Sequence, residues 1–488
     1  MGPRVRSLRH FEGIALSHRT VSQTPRFVHS SSRRHVSAAP TSPTSSSHLL
    51  SNSPPTRSPP TPSRLARLPT SSVLRSYLIT GMSSSPALLS LCFTVLRRML
   101  DSKSFLMSIE RNPVLAKLLK STFYAQFCAG ETSKEVKVNT TAARDVLGYD
   151  GIILEYALEV LGGGTSQITE EETAKEIEVW RKGMLESVEV AREGDFIGLK
   201  WSGLGRRALQ LLKSQEDATP AMWSAILAAC DAAAAKNVAL LPGAEEESTN
   251  PGLDKWTLAL QKKYNTPESG HAIIYSTYQC YLKSTPIKLA QHLAQAEREG
   301  YIAGVKLVRG AYLASEPRQL IWNTKEETDA CYDACAEAVL RRHWTSSILP
   351  PPPPSHSTSA STPTSTSAFP NVNIVLATHN HASVQRAQAI RSSQLLSSSA
   401  ESLPRLTYAQ LQGMADEISQ ELVQAADKKA DVQAKVVKCM TWGTTTECLN
   451  FLLRRASENK EAALRTEDTR RAMGKELWRR VKGAFGVI

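Results

Sequence analysis

Polar side chains, most of them basic, lie at or near the ends of several of the apolar, β-branched runs of this sequence. Lys200 comes near the end of DFIGLKW, and Gln279 follows HAIIYSTY. Lys306 and Arg309 lie in GVKLVRG. If such runs are parallel strands, their carboxyl ends meet at one mouth, where cations with few acids among them attract a phosphate or a carboxylate. The alternative for each cation taken singly is a solvated charge on the rim.

The adjacent residues Arg454 and Arg455, in FLLRRASEN, form a second cationic feature. Neighbours on a helix point about 100° apart, so the two guanidinium groups can hold one small carboxylate from two sides. Charge-assisted hydrogen bonds of about 1.5–3 kcal/mol each would suffice to hold a small amino acid. Composition alone favours the plainer interpretation, in which basic residues lie near a helix C-terminus.

Eight apolar runs alternate with amphipathic helical segments between residues 151 and 439. Each run is nearly continuous in apolar and β-branched residues, which is typical of parallel strands buried on both faces. Eight strand–helix units over roughly 310 residues predict an α/β fold, a (β/α)8 TIM-type barrel with one insertion. An open doubly wound sheet is the alternative. The runs are GIILEYA, DFIGLKW, NVALLP, HAIIYSTY, GVKLVRG, NIVLATHN, LTYAQL and AKVVKC.

The rest of the chain divides into a basic leader, a helical arm and an insertion. Residues 1–70 carry ten arginines and one acid, a net charge of +9 out of the total of +12. This composition predicts a mitochondrial transit peptide and disordered region, with a disordered basic tail as the alternative. Residues 71–147 are predicted to form an N-terminal helical arm and residues 148–488 the barrel domain. The Pro/Ser/Thr tract at about 344–370 is expected to be a disordered insertion on the face opposite the active site.

Charge, hydropathy and cysteine spacing exclude several classes of function. The folded part carries only +3, which does not support a basic nucleic-acid surface, and no apolar run reaches the 18 residues of a membrane span. The cysteines form no C-x-x-C pair, as in a reducing compartment. Cys331 and Cys335 have no neighbouring histidine, and His379 and His381 have no third ligand. We therefore predict no metal site and assign the two cysteines to packing.

Taken together, several segments resemble the proline dehydrogenase family, and LLPGAEEE and KCMTWG are similar to fungal members in particular. The matching segments run in family order from about residue 121 to 460: STFYAQFCAGE, FIGLKWSGLG, DKWTLALQKKYN, YSTYQCYLK, GVKLVRGAYLASEP, ATHN, YAQLQGMAD and FLLRRASEN. The resemblance implies a distorted (β/α)8 barrel that binds FAD noncovalently, with its last helix over the mouth. It also implies that L-proline is oxidised to Δ1-pyrroline-5-carboxylate by hydride transfer to the flavin, the first step of proline catabolism to glutamate. The electrons would pass to ubiquinone or the respiratory chain.

The implied location is the matrix side of the inner mitochondrial membrane, in peripheral contact with it through a surface for which the helical arm is one candidate. The resemblance implies roles for single residues as well. Arg454, Arg455 and Lys200 match positions that bind the proline carboxylate, and Lys306 and Lys200 would be the catalytic lysines. Tyr312 and Leu411 match apolar walls of the substrate pocket. The implied cofactor contacts are Gln279, Lys306, Arg309, Gly310, Ala311, Thr378, His379, Asn380 and Glu458.

Two positions depart from the family pattern. Gly243 stands where the family usually has Asp, and Cys439 where it often has Tyr. Both positions shape the pocket, so we expect altered substrate range and affinity rather than altered redox chemistry. The alternatives are a barrel enzyme with Lys200 or Lys306 as a Schiff-base nucleophile, a catalytically impaired homologue, or a non-catalytic protein that binds proline or FAD.

Overall fold

The structure is a computed structural model that describes residues 63–102, 104–158, 168–352, 368–428, 434–458 and 466–486. Most of the predicted transit peptide and the middle of the predicted insertion, residues 353–367, lie outside the described residues. Of the described helices, none is both long and apolar enough to cross a membrane by itself. The helices Thr70–Ser83 and Pro86–Asp101 pass that test only as a pair, bent by 104°.

A mainly helical segment precedes the barrel. It contains α1 (Thr70–Ser83), α2 (Pro86–Asp101), α3 (Pro113–Leu119), a π-helical turn (Lys120–Tyr124), α4 (Ala125–Phe127), β1 (Cys128–Gly130) and α5 (Ser133–Asp145). Pro86 and Pro113 occupy the first turns of α2 and α3, where the missing N–H costs nothing. The three-residue strand β1 was not expected from the helical pattern of this region.

Eight further strands run parallel to one another and form the predicted barrel. They are β2 (Gly151–Tyr156), β3 (Phe196–Leu199), β4 (Ala239–Pro242), β5 (Ser276–Gln279), β6 (Ala303–Val308), β7 (Val372–Ala377), β8 (Arg405–Leu411) and β9 (Ala434–Trp442). They pair in the order β4-β3-β2-β9-β8-β7-β6-β5, and β1 adds to β9. A parallel bridge between Leu240 and Ile274 joins the two ends of this order. Leu240 donates to the Ile273 carbonyl oxygen at 2.7 Å and accepts from the Tyr275 amide at 3.0 Å. The predicted barrel is therefore confirmed, and the open doubly wound sheet was the wrong alternative.

Helices follow the strands, and most of them cover the outside of the barrel; the helix Thr445–Glu458 lies instead at its mouth, and the helix Glu467–Ala484 packs against α1. They are α6 (Glu170–Val190), α7 (Arg206–Lys213), α8 (Pro220–Ala235), α9 (Asn250–Tyr264), α10 (Thr285–Glu299), α11 (Lys325–Arg341), α12 (His381–Leu395), α13 (Asp416–Lys428), α14 (Thr445–Glu458) and α15 (Glu467–Ala484). The start of α11 is fixed by a capping box between Thr324 and Glu327, and the start of α12 by the Asn380 side chain, which accepts from the Ser383 amide. These two caps set the positions of residues at the barrel mouth.

One apolar cluster fills the barrel and a larger one lies between the barrel and its helices. The interior cluster contains Ile153, Phe196, Ala239, Leu241, Ala272, Tyr275, Ile302, Val375, Ala409 and Val437. Because side chains alternate along a strand, residues two positions further on from these also face the interior. The apolar interior thus ends in a polar layer at the carboxyl ends of the strands.

The arm holds α14 against this end of the barrel. Leu449 and Leu453 of α14 pack with Leu96, Ile109 and Leu119, which lie in the arm. At the start of α14, Glu131 accepts hydrogen bonds from the amide and the hydroxyl of Thr445. A carboxylate is favourable at a helix N-terminus because of the helix dipole.

Candidate active site

Two cations from different elements meet on one phenol oxygen at the mouth of the barrel. Lys200, the residue after β3, donates from Nζ to the Tyr312 hydroxyl oxygen at 2.9 Å. Arg455 on α14 donates from Nη1 to the same oxygen at 3.4 Å. Both cations also lie 5.5 Å from the centre of the Tyr312 ring. The structure therefore brings together Lys200, Tyr312 and Arg455, three of the residues predicted for the substrate site, with Arg454 partly buried in the same turn of α14.

Lys306 lies on β6 with its side chain in the barrel interior. It follows Ile302 by four residues, so it shares the inward face of that strand. Its positive charge lowers the pKa of Cys439 on β9, although burial and the neighbouring Glu155 outweigh it and raise the pKa of that thiol. Among the described residues, no hydrogen bond or ion pair holds the Lys306 ammonium. Lys306 thus places a partly buried positive charge in the interior.

Glu155 is a mouth residue that the sequence analysis missed. It lies two positions after Ile153 on β2, and the Cys439 Sγ lies 3.8 Å from its carboxylate. An acid in an otherwise apolar run was the available signal, because alternation from Ile153 places it inside the barrel. Glu155 and Lys306 therefore both act on Cys439, which occupies one of the two unusual positions.

Arg309 is the centre of a hydrogen-bonded network between β6, α11 and α12. Its Nε donates to Asp329 Oδ1 at 2.7 Å, its Nη2 to the Ser383 hydroxyl at 2.9 Å, and its Nη1 to the Thr378 hydroxyl. The guanidinium also lies 4.4 Å from the centre of the Tyr332 ring. Burial raises the pKa of Asp329, but hydrogen bonds from Lys325 and Arg309 outweigh it and lower that pKa. Among the described contacts, two of the five guanidinium N–H groups are left for another acceptor.

The side-chain amide of Gln279 connects two loops behind the mouth. Its Nε2 donates to the Glu245 carbonyl oxygen at 2.8 Å, and its Oε1 accepts from the Ala311 amide at 3.2 Å. Between these loops Gly310 has φ of +138°, and a Cβ there would lie 2.1 Å from the Tyr281 ring. Only glycine fits at this position. Gln279 and Gly310 therefore fix the path of the chain that leads to Tyr312.

His379 and Leu411 form the opposite part of the mouth. The His379 ring is open to the mouth yet surrounded by protein atoms, and its Nε2 accepts from the Leu411 amide at 3.1 Å. Burial, with the charges of Lys438 and Arg309, lowers the pKa of His379 to about 4. The imidazole is therefore neutral at pH 7, and its proton lies on Nδ1. Asn380 Nδ2 donates to Asp329 at 3.2 Å, which joins this side to the Arg309 network.

Gly243 lies beside Lys200, at the other unusual position. A Cβ on Gly243 would lie 3.8 Å from Lys200 Cγ, so a longer side chain there would reach the lysine. In this chain the Tyr312 hydroxyl accepts the Lys200 hydrogen bond instead. The side chain of Glu458, the last of the predicted cofactor contacts, lies outside the described residues.

Comparisons with known proteins identify one family. A model of the family described as proline dehydrogenase matches residues 148–468. The chain is 28% identical over 428 residues to mouse hydroxyproline dehydrogenase, covering 75% of this chain and 83% of the relative. It is 31% identical over 252 residues to the probable mitochondrial proline dehydrogenase of Schizosaccharomyces pombe, covering 52% of this chain and 48% of the relative. Among solved structures, proline utilization A from Bdellovibrio bacteriovorus has a similar fold, with a TM-score of 0.54 and 16% identity over 80% of this chain and 41% of that one.

Proposed function

Because the family model matches residues 148–468, the chain belongs to the proline dehydrogenase family, and we propose that it oxidises L-proline to Δ1-pyrroline-5-carboxylate. The observation that carries the proposal is the meeting of Lys200 and Arg455 on the Tyr312 hydroxyl. Two cations held together at a partly buried site favour a small anionic substrate. The relatives named as proline or hydroxyproline dehydrogenases support an imino acid as that substrate.

The substrate carboxylate would be bound by Arg454, Arg455 and Lys200. The phenol oxygen of Tyr312 holds Lys200 and Arg455 in place without neutralising either charge, because a neutral hydroxyl carries no countercharge. Ammonium and guanidinium groups each carry several N–H donors, a chemistry that suits a carboxylate. The fold thus brings the two cations close to each other, and a substrate carboxylate at this point would be attracted by both.

The same cations act on the substrate amine. The amine has to be neutral before a hydride can leave the adjacent carbon. Positive charge close to an amine lowers its pKa, so the mouth favours the deprotonated form. The Tyr312 ring and Leu411, which is 47% exposed, would form the apolar walls against the ring of the substrate. Binding therefore orients the substrate and also prepares its protonation state.

The residues of the mouth fit a flavin. Among the described residues, the donors there include the Lys306 ammonium, the two remaining N–H groups of Arg309 and the Nδ1–H of neutral His379, which suit the carbonyl and phosphate oxygens of FAD. When bound at these residues, FAD would supply the hydride acceptor that the oxidation of proline at C5 requires. Lys306 would stabilise negative charge that develops next to it, which is the catalytic role we propose for it. The further proposed contacts are Gln279, Gly310, Ala311, Thr378, Asn380 and Glu458.

We also propose that the protein works in mitochondria, at the matrix side of the inner membrane, with ubiquinone or the respiratory chain as acceptor. Relatives in Schizosaccharomyces pombe and Caenorhabditis elegans are named as mitochondrial. The arm supplies a candidate membrane surface. Leu88 and Leu91 on α2 are 49% and 59% exposed, and Phe105 after it is 61% exposed, with Arg98 nearby in the chain. Exposed apolar side chains beside basic ones are typical of binding to an anionic lipid surface.

The principal test uses the purified full-length protein. It should carry a flavin absorption spectrum that bleaches when L-proline is added without oxygen, and it should reduce an artificial dye in a proline-dependent reaction. Arg454→Met and Arg455→Met should each raise the KM for proline, whereas Arg471→Met, on the exposed face of α15, should not. If both mouth variants leave the KM unchanged, the carboxylate assignment is wrong. Trans-4-hydroxy-L-proline, tested beside L-proline, would identify a hydroxyproline dehydrogenase.

Two further experiments test the alternatives and the membrane surface. Borohydride trapping of a carbonyl substrate on Lys200 or Lys306 would support a Schiff-base enzyme. Binding of proline and FAD without any dye reduction would support a non-catalytic homologue. In sedimentation with cardiolipin-containing vesicles, Leu91→Glu should reduce binding, and Leu396→Glu, at a 91% exposed position outside the arm, should not. Equal binding by both variants would contradict the proposed membrane surface.

A further inference from the structure

Three cysteine side chains meet behind the barrel mouth. Cys280 follows the last residue of β5, and Cys331 and Cys335 lie on α11. The exposed fractions of these residues are 0%, 7% and 0%. Their three Sγ atoms all lie within 4.8 Å of one another. The sequence spacing relates only Cys331 to Cys335, which are four positions apart, and it gives no sign that Cys280 lies beside them.

Local structure explains why the thiols meet. The Cys280 amide donates to the Val308 carbonyl oxygen at 2.9 Å, which extends the β5–β6 pairing by one residue. Cys331 and Cys335 are four apart and therefore lie on the same face of α11, which packs against β6 and β7. The cluster thus joins the end of β5 to α11, and each of its three cysteines lies within or directly next to one of these two elements.

The chemistry of the cluster is that of a soft-metal site. Thiolates select soft ions such as Cu(I), whereas Mg²⁺ and Ca²⁺ prefer oxygen ligands. Zn²⁺ is almost always four-coordinate in structural sites, and no histidine, carboxylate or fourth cysteine joins the group among the described residues. An ion about 2.3 Å from each sulfur would place the sulfurs about 4 Å apart, which the 4.8 Å limit allows.

We propose that Cys280, Cys331 and Cys335 form a binding site for a soft monovalent metal ion, Cu(I), held by three sulfur atoms. Binding replaces thiol protons by the ion and involves no change of oxidation state, so the ion has to arrive as Cu(I). The site lies next to the mouth. Gln279 precedes Cys280, and Tyr332, which follows Cys331, packs on the Arg309 guanidinium. A bound ion would tie the end of β5 to α11 and raise the thermal stability of the chain.

The test measures Cu(I) binding to the full-length protein and does not depend on its enzymatic activity. Protein reduced and then freed of reductant without oxygen is titrated with Cu(I) against a chromophoric Cu(I) chelator. We expect one equivalent to be withdrawn from the chelator, a rise in Tm, and X-ray absorption that shows three sulfur neighbours. Cys280→Ser and Cys331→Ala should abolish this binding. Cys230→Ala is the matched control, because that cysteine is fully buried on α8 outside the cluster, and it should bind as the wild type does.

The outcomes that would overturn the proposal are equally specific. Cys128 and Cys448 are a second pair of neighbouring buried thiols, so loss of binding in Cys448→Ala but not in Cys331→Ala would assign the ion to that pair. No transfer from the chelator, or coordination by nitrogen or oxygen atoms, would also refute the site. If Cys331→Ala does not fold, as judged by circular dichroism, Cys331→Ser is tested in its place, because serine is close to cysteine in side-chain volume. Independently of any variant, the number of sulfur neighbours in the X-ray absorption of the Cu(I)-loaded wild type decides whether the ion lies at this site.

Discussion

Replacing Tyr312 by phenylalanine removes the oxygen that two cations of the barrel mouth share, while it keeps the ring. In the native protein Lys200 donates to this oxygen at 2.9 Å, and Arg455 donates at the longer distance of 3.4 Å. Tyr312 is only 8% exposed, so water replaces the lost acceptor poorly. The variant should therefore leave both cations less well positioned for a substrate carboxylate.

The size of the effect follows from the two distances. A hydrogen bond that involves a charged group contributes about 1.5–3 kcal/mol, and the 2.9 Å bond has ordinary geometry. The 3.4 Å contact is near the outer limit and adds little. Losing one good bond predicts a fall in kcat/KM for proline of about 10- to 100-fold, since about 1.4 kcal/mol corresponds to a factor of ten. Because the cations bind the substrate carboxylate, most of the fall should appear in KM.

The assay is proline-dependent dye reduction by the wild type, Tyr312→Phe, Lys200→Met and the double variant. Tyr312 and Lys200 act together, so the double variant should lose less than the two single losses combined, with a coupling of about 0.5–3 kcal/mol. Tyr264→Phe is the control, because Tyr264 donates to Asp231 between α9 and α8, away from the mouth. An unchanged KM in Tyr312→Phe, or independent effects of the two substitutions, would refute the argument.

Three other predictions concern stability. The fully buried Lys438 ammonium lies 2.7 Å from Asp416, so Lys438→Met should lower the free energy of unfolding in urea by about 3–5 kcal/mol; a loss below about 1 kcal/mol would mean that the pair is dispensable. Gly310→Ala should lower Tm because its Cβ would overlap an aromatic ring, and it should do so by more than Gly300→Ala, where nothing lies within 4 Å. Burial and the charge of Lys288 lower the pKa of His292 from 6.5 to about 4. Below pH 6.5 the unfolded chain therefore binds a proton that the folded chain takes up only near pH 4, and stability should fall by about 3 kcal/mol over that interval. His292→Asn should make the urea stability less dependent on pH in this range.

The order of strands and helices could be predicted from the sequence because it depends on local patterns. Runs such as GVKLVRG and NIVLATHN are apolar and β-branched over their whole length, and the helices between them begin at caps such as Thr324 and Asn380. Strand β1 could not be predicted in this way. Its three residues carry no pattern of their own, and they become a strand because the edge of β9 lies beside them.

The sequence by itself determined which residues end the parallel strands, and it therefore placed Lys200, Lys306 and Arg309 at one mouth. Only the tertiary structure decided what these cations contact. Contacts between residues more than a hundred positions apart, such as Lys200 with Tyr312, depend on closure of the barrel and on the packing of α14, which leave no local trace in the chain. The cluster of Cys280 with Cys331 and Cys335 arises for the same reason, because a strand end and a helix face meet only after the barrel has closed.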